Sequence, residues 1–321
     1  MKFERNIAGR LLILILILEE LVIGVLRING INPNDNFYIG TIMSELIVVI
    51  PAIILMGCWY IAQLWKASKD DEYEPIGFAE RLMFKKVRIS TLLITILFMI
   101  LTSPLIGLAN VASQFFVKNA VTEIGGDIVD MPIAVGILLI AVMPAMCEEF
   151  ALRGVVYGGY RRSCKPFPAI VVSGLLFGLM HMNLNQFMYA FILGVLFAML
   201  NEASGSIWTS ILAHLWVNGT NVFSLYMVDS FNESILDEYA SSMGSSYEVL
   251  LPSLMVYALL TLVTIMPAMM CLRWIARREG NEDPIALMKN SKYYKGIRIW
   301  TPALVISIIY TIYVIIAQML I

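Results

Sequence analysis

The chain has 321 residues, of which 59% are apolar and 14% are charged, and its mean hydropathy is +0.79. Soluble domains carry about 25% charged residues, so this composition excludes an ordinary soluble protein and indicates a membrane protein. The net charge of -2 leaves no basic surface for a nucleic acid. The four cysteines are far apart in sequence, which excludes a disulfide framework and a structural zinc site.

Nine apolar segments resemble helices that cross a bilayer core of roughly 30 Å. In chain order they cover residues 11–26, 41–64, 91–112, 131–152, 168–182, 186–201, 206–227, 249–272 and 301–320. Glu19 and Glu20 interrupt the first segment, and no small-residue cleavage site follows it, so we interpret it as a retained anchor. The sequence therefore predicts an all-α, polytopic transmembrane helix bundle with about eight or nine spans. We assign residues 1–321 to a single membrane domain.

The basic residues between the spans alternate in a way that predicts orientation, because cytoplasmic loops carry the Lys and Arg residues. With a cytoplasmic N-terminus, 19 of the 22 Lys and Arg residues fall in the segments 2–10, 66–88, 161–165 and 273–298. The opposite side has Arg27 and Lys118 and collects the acidic residues Asp35, Glu123, Asp127, Asp130, Asp229, Glu233, Asp237, Glu238 and Glu248. We expect a multi-pass protein of the cell membrane with its N-terminus in the cytoplasm.

Ionisable side chains within spans are costly, by about 2.5 to 3.5 kcal/mol each, so each needs a partner or a function. Such groups are Glu148, Glu149 and Arg153 at the end of the fourth span, His181 at the end of the fifth, and His214, with the polar Asn218, in the seventh. Residues four apart share a helix face, which pairs Glu149 with Arg153 and His214 with Asn218. Glu148 points about 100° away from Glu149. We expect Arg153 to hold Glu149 ionised and Glu148 to face the bundle interior.

The fourth and fifth spans form a predicted antiparallel hairpin whose turn lies at residues 161–166. Glu148 and His181 are equally far from this turn, so regular helices would place them side by side. The small-residue pairs Gly154 with Gly158, and Gly174 with Gly178, would allow these two helices to approach closely. A carboxylate, two imidazoles and a carboxamide are therefore expected to converge inside the membrane.

This set of groups suits amide hydrolysis. A carboxylate such as Glu148 can act as base toward a water and then as acid toward the leaving amine, and His181 can orient the same water. His214 and Asn218 can stabilise a tetrahedral oxyanion. Alternatively, Glu148, His181 and His214 can ligate zinc with an open position for water. Glu19, Glu20 and Glu45, which lack a histidine or close basic partner in sequence, are predicted to be interfacial or bundle-facing, and Cys147 to be packing.

These motifs resemble those of the CPBP family of intramembrane proteases, also called the CAAX protease and bacteriocin-processing or Abi family. The family motifs E-E-x-x-x-R, F-x-x-x-H and H-x-x-x-N stand here as Glu148-Glu149-x-x-x-Arg153, with Tyr157 at a further aromatic position, Phe177-x-x-x-His181 and His214-x-x-x-Asn218. They occur in order on separate predicted helices. The resemblance covers residues 131–227, a catalytic core of four helices.

The resemblance implies Glu148 as the base that activates water and His181 as the residue that helps to position it. It implies His214 and Asn218 as oxyanion stabilisers, and Glu149 and Arg153 as supporting residues. Relatives similar to the Ras-converting enzyme cleave prenylated C-a-a-X proteins at the cytoplasmic side, and other members are linked to bacteriocin immunity, peptide maturation or scaffolding. The family is named both as metalloprotease and as glutamate protease. A glutamate mechanism needs no cofactor, whereas a metal mechanism would use zinc.

The leading hypothesis is an intramembrane endopeptidase acting on a lipidated, membrane-embedded or bacteriocin-like peptide among membrane lipids. One alternative is a non-catalytic immunity or regulatory scaffold protein of the same fold, in which the polar cluster only fastens helices. A second is a proton-coupled transporter, since intramembrane Glu and His also form proton relays. No internal repeat or pair of broken helices in the sequence favours the transporter.

Overall fold

The structure of the chain is a computed structural model, and it describes residues 2–28, 36–70, 72–120, 124–162, 164–231, 247–284 and 299–319. Several charged residues used above to predict orientation lie outside these ranges, namely Asp35, Glu123, Glu233, Asp237, Glu238, Lys289, Lys292, Lys295 and Arg298. The described basic residues that we assign to the cytoplasm lie near helix ends or in the loops between helices.

The predicted all-α membrane bundle is confirmed, and the described part of the chain contains no strand. The helices are α1 (Lys2–Ile28), α2 (Phe37–Ala67), α3 (Phe78–Arg81), α4 (Ile89–Ser113), α5 (Gly125–Val129), α6 (Ile133–Arg161), α7 (Pro166–Met180), α8 (Leu184–Ser204), α9 (Ile207–Phe231), α10 (Tyr247–Glu279) and α11 (Pro302–Met319). Every predicted span falls on one of the nine long helices. By length and composition, α2, α4, α6, α8 and α10 are long and apolar enough to cross a membrane, while α7 and α11 are apolar but shorter.

The outer surface of the bundle is apolar, as a helix surface that faces lipid must be. Helix α10 shows this most clearly, because it packs along α4 on one side and leaves Leu259, Leu262 and Val263 exposed on the other. Helices α7 and α8 form the tightest hairpin near the site. Helix α8 begins where the Asn183 side chain accepts a hydrogen bond from the Gln186 N–H, and it ends at Gly205, whose φ of 71° is the left-handed conformation of a helix cap.

Helix α6 is not regular along its length. Its residues Ile137–Val142 and Phe150–Tyr157 form wide π-helical turns, and an ordinary α-helical stretch, Met143–Glu149, lies between them. Pro144 is the second residue of this stretch and has no N–H with which to bond the carbonyl of Ile140, four residues earlier. π-Helical turns inside α-helices are frequent at functional sites. Both glutamates of the first motif lie at the end of the α-helical stretch.

The glycine pairs pack against partners different from those that the sequence indicated. We predicted that Gly174 and Gly178 would bring α7 close to α6, but both face α8 instead. A Cβ atom on Gly174 would lie 2.9 Å from the Val195 nitrogen, and one on Gly178 would lie 3.0 Å from the Phe187 carbonyl oxygen. The predicted role was wrong because small-residue spacing marks a close approach without naming the partner helix.

Candidate active site

Glu149 is the centre of a buried polar network that joins α6 to α9. Its Oε1 atom accepts a hydrogen bond of 2.7 Å from Nη1 of Arg153, and both side chains are fully buried. Nδ1 of His214 lies 3.1 Å from the same oxygen. Arg153 also donates to the carbonyl oxygen of Gly194 at 3.2 Å, and its guanidinium lies over the ring of Phe177. The predicted pairing of Glu149 with Arg153 is present, and the structure adds His214 as a second partner.

The neighbours of His214 define which of its ring nitrogens carries the proton. An ionised Glu149 can only accept hydrogen bonds, so Nδ1 of His214 is the donor to it. Nε2 lies 3.2 Å from the Nδ2 amide of Asn218, which donates to it. The same amide donates at 2.9 Å to the carbonyl of Ile140, which Pro144 leaves without its usual helical partner. The two contacts fit His214 with a proton on Nδ1 and with Nε2 as a hydrogen-bond acceptor.

His181 is oriented by the end of its own helix. Helix α7 stops at Met180, and the backbone N–H of His181 bonds Gly178, so the carbonyl of Phe177 lacks a backbone partner in the usual position. Nδ1 of His181 donates to this carbonyl at 2.8 Å. The ring is thereby fixed with Nε2 free to bind a proton or a water molecule. The Phe177 ring stands beside both imidazoles, with centroids 5.3 Å from His181 and 5.5 Å from His214.

Glu148 points away from Glu149, as the helix geometry predicts, and borders a cavity of about 460 Å³. His181, His214 and Asn218 border the same cavity. Among the residues that the structure describes, the Oε2 atom of Glu148 has no hydrogen-bond partner, and it lies 3.9 Å from Nε2 of His214. The structure thus brings all four predicted catalytic side chains to one cavity, although Glu148 and His181 share it without a hydrogen bond between them.

The cavity also contains carboxylates that the sequence analysis did not assign to the site. Glu45 of α2 is 6% exposed and borders the cavity together with Glu148. Its Oε2 atom has no hydrogen-bond partner in the described part of the chain. Glu19 of α1 borders the cavity as well. No local spacing in the sequence links either residue to the motifs. Their one signal in the sequence is a position inside an apolar segment. That position predicts a side chain that is interfacial or faces the bundle, without assigning it to the site.

The residues predicted as zinc ligands do not form one ligand set in this arrangement. Among the described residues, no three His, Cys, Asp or Glu side chains are grouped so that they could hold a metal ion. Glu148 and His214 are close to each other. His181 donates to the Phe177 carbonyl through Nδ1, which leaves Nε2 as the ring nitrogen that faces a water or another ligand.

Comparisons with known proteins cover this same part of the chain. Residues 130–220 match the family model described as Type II CAAX prenyl endopeptidase Rce1-like. A protein of Bacillus subtilis (strain 168) named "Putative membrane peptidase YdiL" is 29% identical over 93 residues, which are 28% of this chain and 38% of that relative. No solved structure matches.

The matched segment contains α6, α7, α8 and the first half of α9, and with them every motif residue. The resemblance to the CPBP, or CAAX protease, family is confirmed for this segment. Helices α1, α2, α4, α10 and α11 lie outside it. Glu45 and Glu19 are therefore contributions to the cavity from outside the matched segment.

Proposed function

We propose that the protein is an intramembrane endopeptidase in which Glu148 activates water for hydrolysis of a peptide bond. The observation that carries this proposal is the unpartnered carboxylate oxygen of Glu148 in a cavity that it shares with two oriented imidazoles. A buried polar atom without a partner is costly, by about 1 to 3 kcal/mol. Such an atom facing a cavity is available to a water or a substrate.

In the proposed reaction, Glu148 accepts a proton from a water molecule whose oxygen attacks the carbonyl carbon of the peptide. Nε2 of His181 accepts a hydrogen bond from the same water and so fixes its orientation. When the tetrahedral intermediate breaks, the carboxyl of Glu148 returns the proton to the leaving amine. No covalent bond forms between the protein and the substrate.

His214 and Asn218 are proposed to stabilise the oxyanion of the intermediate. With its proton on Nδ1, His214 can donate through Nε2 to an oxyanion only after it takes a second proton, which water in the cavity would supply before the attack. Glu149 lies 3.1 Å from Nδ1 and would stabilise the resulting imidazolium. Asn218 would turn one of its amide hydrogens from His214 to the oxyanion. One such donor is worth about 2.7 to 4 kcal/mol of transition-state stabilisation in other enzymes.

The test is cleavage of a quenched fluorescent peptide, in prenylated and unprenylated forms, by the purified protein in detergent. Glu148→Gln keeps the shape of the side chain but removes the base, so we expect activity to fall at least 100-fold, the lower range for general acid–base catalysis. Glu80→Gln is the control, because Glu80 is exposed in an ion pair with Arg162 away from the cavity. Full activity of Glu148→Gln would refute the proposal. Loss of wild-type cleavage on addition of a chelator would favour a zinc mechanism instead.

A non-catalytic scaffold remains the alternative function, and one observation favours it. The bonds of Glu149 to Arg153 and His214, and of Asn218 to Ile140, would fasten α6 to α9 without any chemistry. The scaffold predicts that no peptide is cleaved and that Glu148→Gln leaves the cellular phenotype intact. Glu148 is the discriminating residue because it takes no part in these bonds.

A further inference from the structure

The cavity lies in one half of the bundle. On α2 its lining residues are confined to the first 12 positions, from Phe37 to Val48, and on α6 they end at Glu148. On α7 the lining begins at Phe177 and continues past the end of the helix. On α9 it begins at His214 and reaches Leu225. In this up-and-down bundle these are the helix ends that face away from the basic loops.

The other half of the bundle is filled by side chains that separate the cavity from the basic loops. Arg153 lies beneath Glu149, with its guanidinium 4.3 Å from the centroid of Phe177 and 5.2 Å from that of Phe197. Closer to the basic loops, the fully buried Arg81 donates to the carbonyl oxygens of Gly154 and Val155 in α6. None of Arg153, Arg81 or Phe197 borders the cavity.

The acidic side chains of the cavity indicate which kind of peptide it would bind. Its described lining includes the carboxyl groups of Glu19, Glu45 and Glu148 and contains no Lys or Arg. Helix α5, which contributes Ile128 to the lining, carries Asp127 at an exposed position. A substrate with basic side chains complements such a surface, because Lys and Arg are hydrogen-bond donors and carboxyl oxygens are acceptors.

We propose that the substrate reaches Glu148 from the face of the membrane opposite the basic loops, as an extended peptide segment that carries Lys or Arg residues. By the rule that basic loops stay in the cytoplasm, this face is the non-cytoplasmic one. The identification of the bound peptide as a substrate rests on the proposed protease function. The side of the membrane on which the cavity opens does not depend on catalysis. It differs from the cytoplasmic access that the family resemblance alone implied.

The side of the opening is tested by cysteine labelling in a background without the four native cysteines. Asn221→Cys and Thr41→Cys place thiols on α9 and α2 in the cavity wall, and Lys86→Cys places one in a basic loop. A membrane-impermeant maleimide added to intact cells is expected to label the two cavity variants and to spare Lys86→Cys. Inside-out vesicles should show the reverse.

Labelling of the cavity variants only in inside-out vesicles, or in neither preparation, would overturn the proposed access. Labelling of each variant after detergent solubilisation and unfolding confirms that the thiol is present and reactive. This experiment requires no turnover, so an inactive protein that labels as expected would refute the protease function and leave the location of the opening standing.

The charge preference is tested by protection. Two peptides of equal length and apolar content, one with lysines and one with glutamates at the same positions, are added with the maleimide to the Asn221→Cys protein in detergent. We expect the lysine peptide to slow labelling by at least tenfold more than the glutamate peptide. Glu45→Ala should reduce this difference, because it removes one carboxyl group from the lining. Equal protection by the two peptides, or stronger protection by the glutamate peptide, would overturn the preference for basic segments.

Discussion

Replacement of Arg153 with methionine is expected to destabilise the fold strongly. Methionine fills much of the volume of the arginine side chain but leaves Glu149, which is fully buried, without its ion-pair partner at 2.7 Å. Breaking a buried pair by removing one partner costs about 3 to 5 kcal/mol, because the remaining charge is uncompensated. The lost hydrogen bond to the Gly194 carbonyl adds to this destabilisation.

The measurement is the free energy of unfolding in mixed micelles, followed by tryptophan fluorescence. Arg162→Met is the matched control, since Arg162 pairs with Glu80 at 3.0 Å but both side chains are substantially exposed. Exposed pairs contribute about 0 to 1 kcal/mol. We therefore expect Arg153→Met to lower the free energy of unfolding by at least about 2 kcal/mol more than the control.

A double-mutant cycle separates the ion pair from the other contacts of Arg153. In Arg153→Met with Glu149→Gln, no charge stays unpaired, so the double variant should recover much of the lost stability. The coupling between the two sites is expected to exceed about 1 kcal/mol. Equal destabilisation by Arg153→Met and Arg162→Met, with purely additive effects of the two substitutions in the cycle, would refute the reasoning.

Three further substitutions or treatments test the packing of the bundle. Gly194→Ala should lower the free energy of unfolding by about 1 to 3 kcal/mol, because the new Cβ would lie 2.7 Å from the Gly174 Cα. Gly219→Ala is the control in the same unfolding assay. A Cβ at Gly219 would have nothing within 4 Å, so this variant should be neutral or stabilising. Arg81→Met removes the donors to two carbonyls of α6 and should increase hydrogen exchange of the backbone amides in the last π-helical turns of that helix. Unchanged protection of these amides would show that Arg81 does not stabilise the turns. Burial raises the pKa of Cys164 to about 12, so this thiol should resist iodoacetamide at neutral pH until the protein unfolds, and rapid alkylation of the folded protein would argue against its burial.

Local contacts of the site were predictable from the sequence because helix geometry fixes them. The hydrogen bonds of Arg153 to Glu149 and of Asn218 to His214 both join residues four positions apart. The opposite directions of Glu148 and Glu149 follow from the same geometry. Hydropathy likewise located the nine long helices, since a segment that spans lipid must be apolar over most of its length.

Contacts between helices were not predictable in the same way. The bond of Glu149 to His214 joins residues 65 positions apart, and its formation depends on how α6 and α9 rotate toward each other. The position of Glu45 in the cavity depends in the same way on the packing of α2 against α6. The π-helical turns of α6 also shift the positions of its side chains from those of a regular helix. A single sequence contains little information about these rotations.

The attachment of Arg81 to α6 connects the site to the loop between α2 and α4, on the basic face of the bundle. Arg81 belongs to α3 in the loop between α2 and α4, and its guanidinium holds the carbonyls of Gly154 and Val155, one and two residues beyond Arg153. A cytoplasmic protein or lipid that pulled this loop away would leave these carbonyls without those donors and loosen the turn that positions the ion pair of Glu149. The loop that carries Arg81 is thus a mechanical link through which binding at the basic face of the bundle would change the positions of the Glu149 and Arg153 side chains.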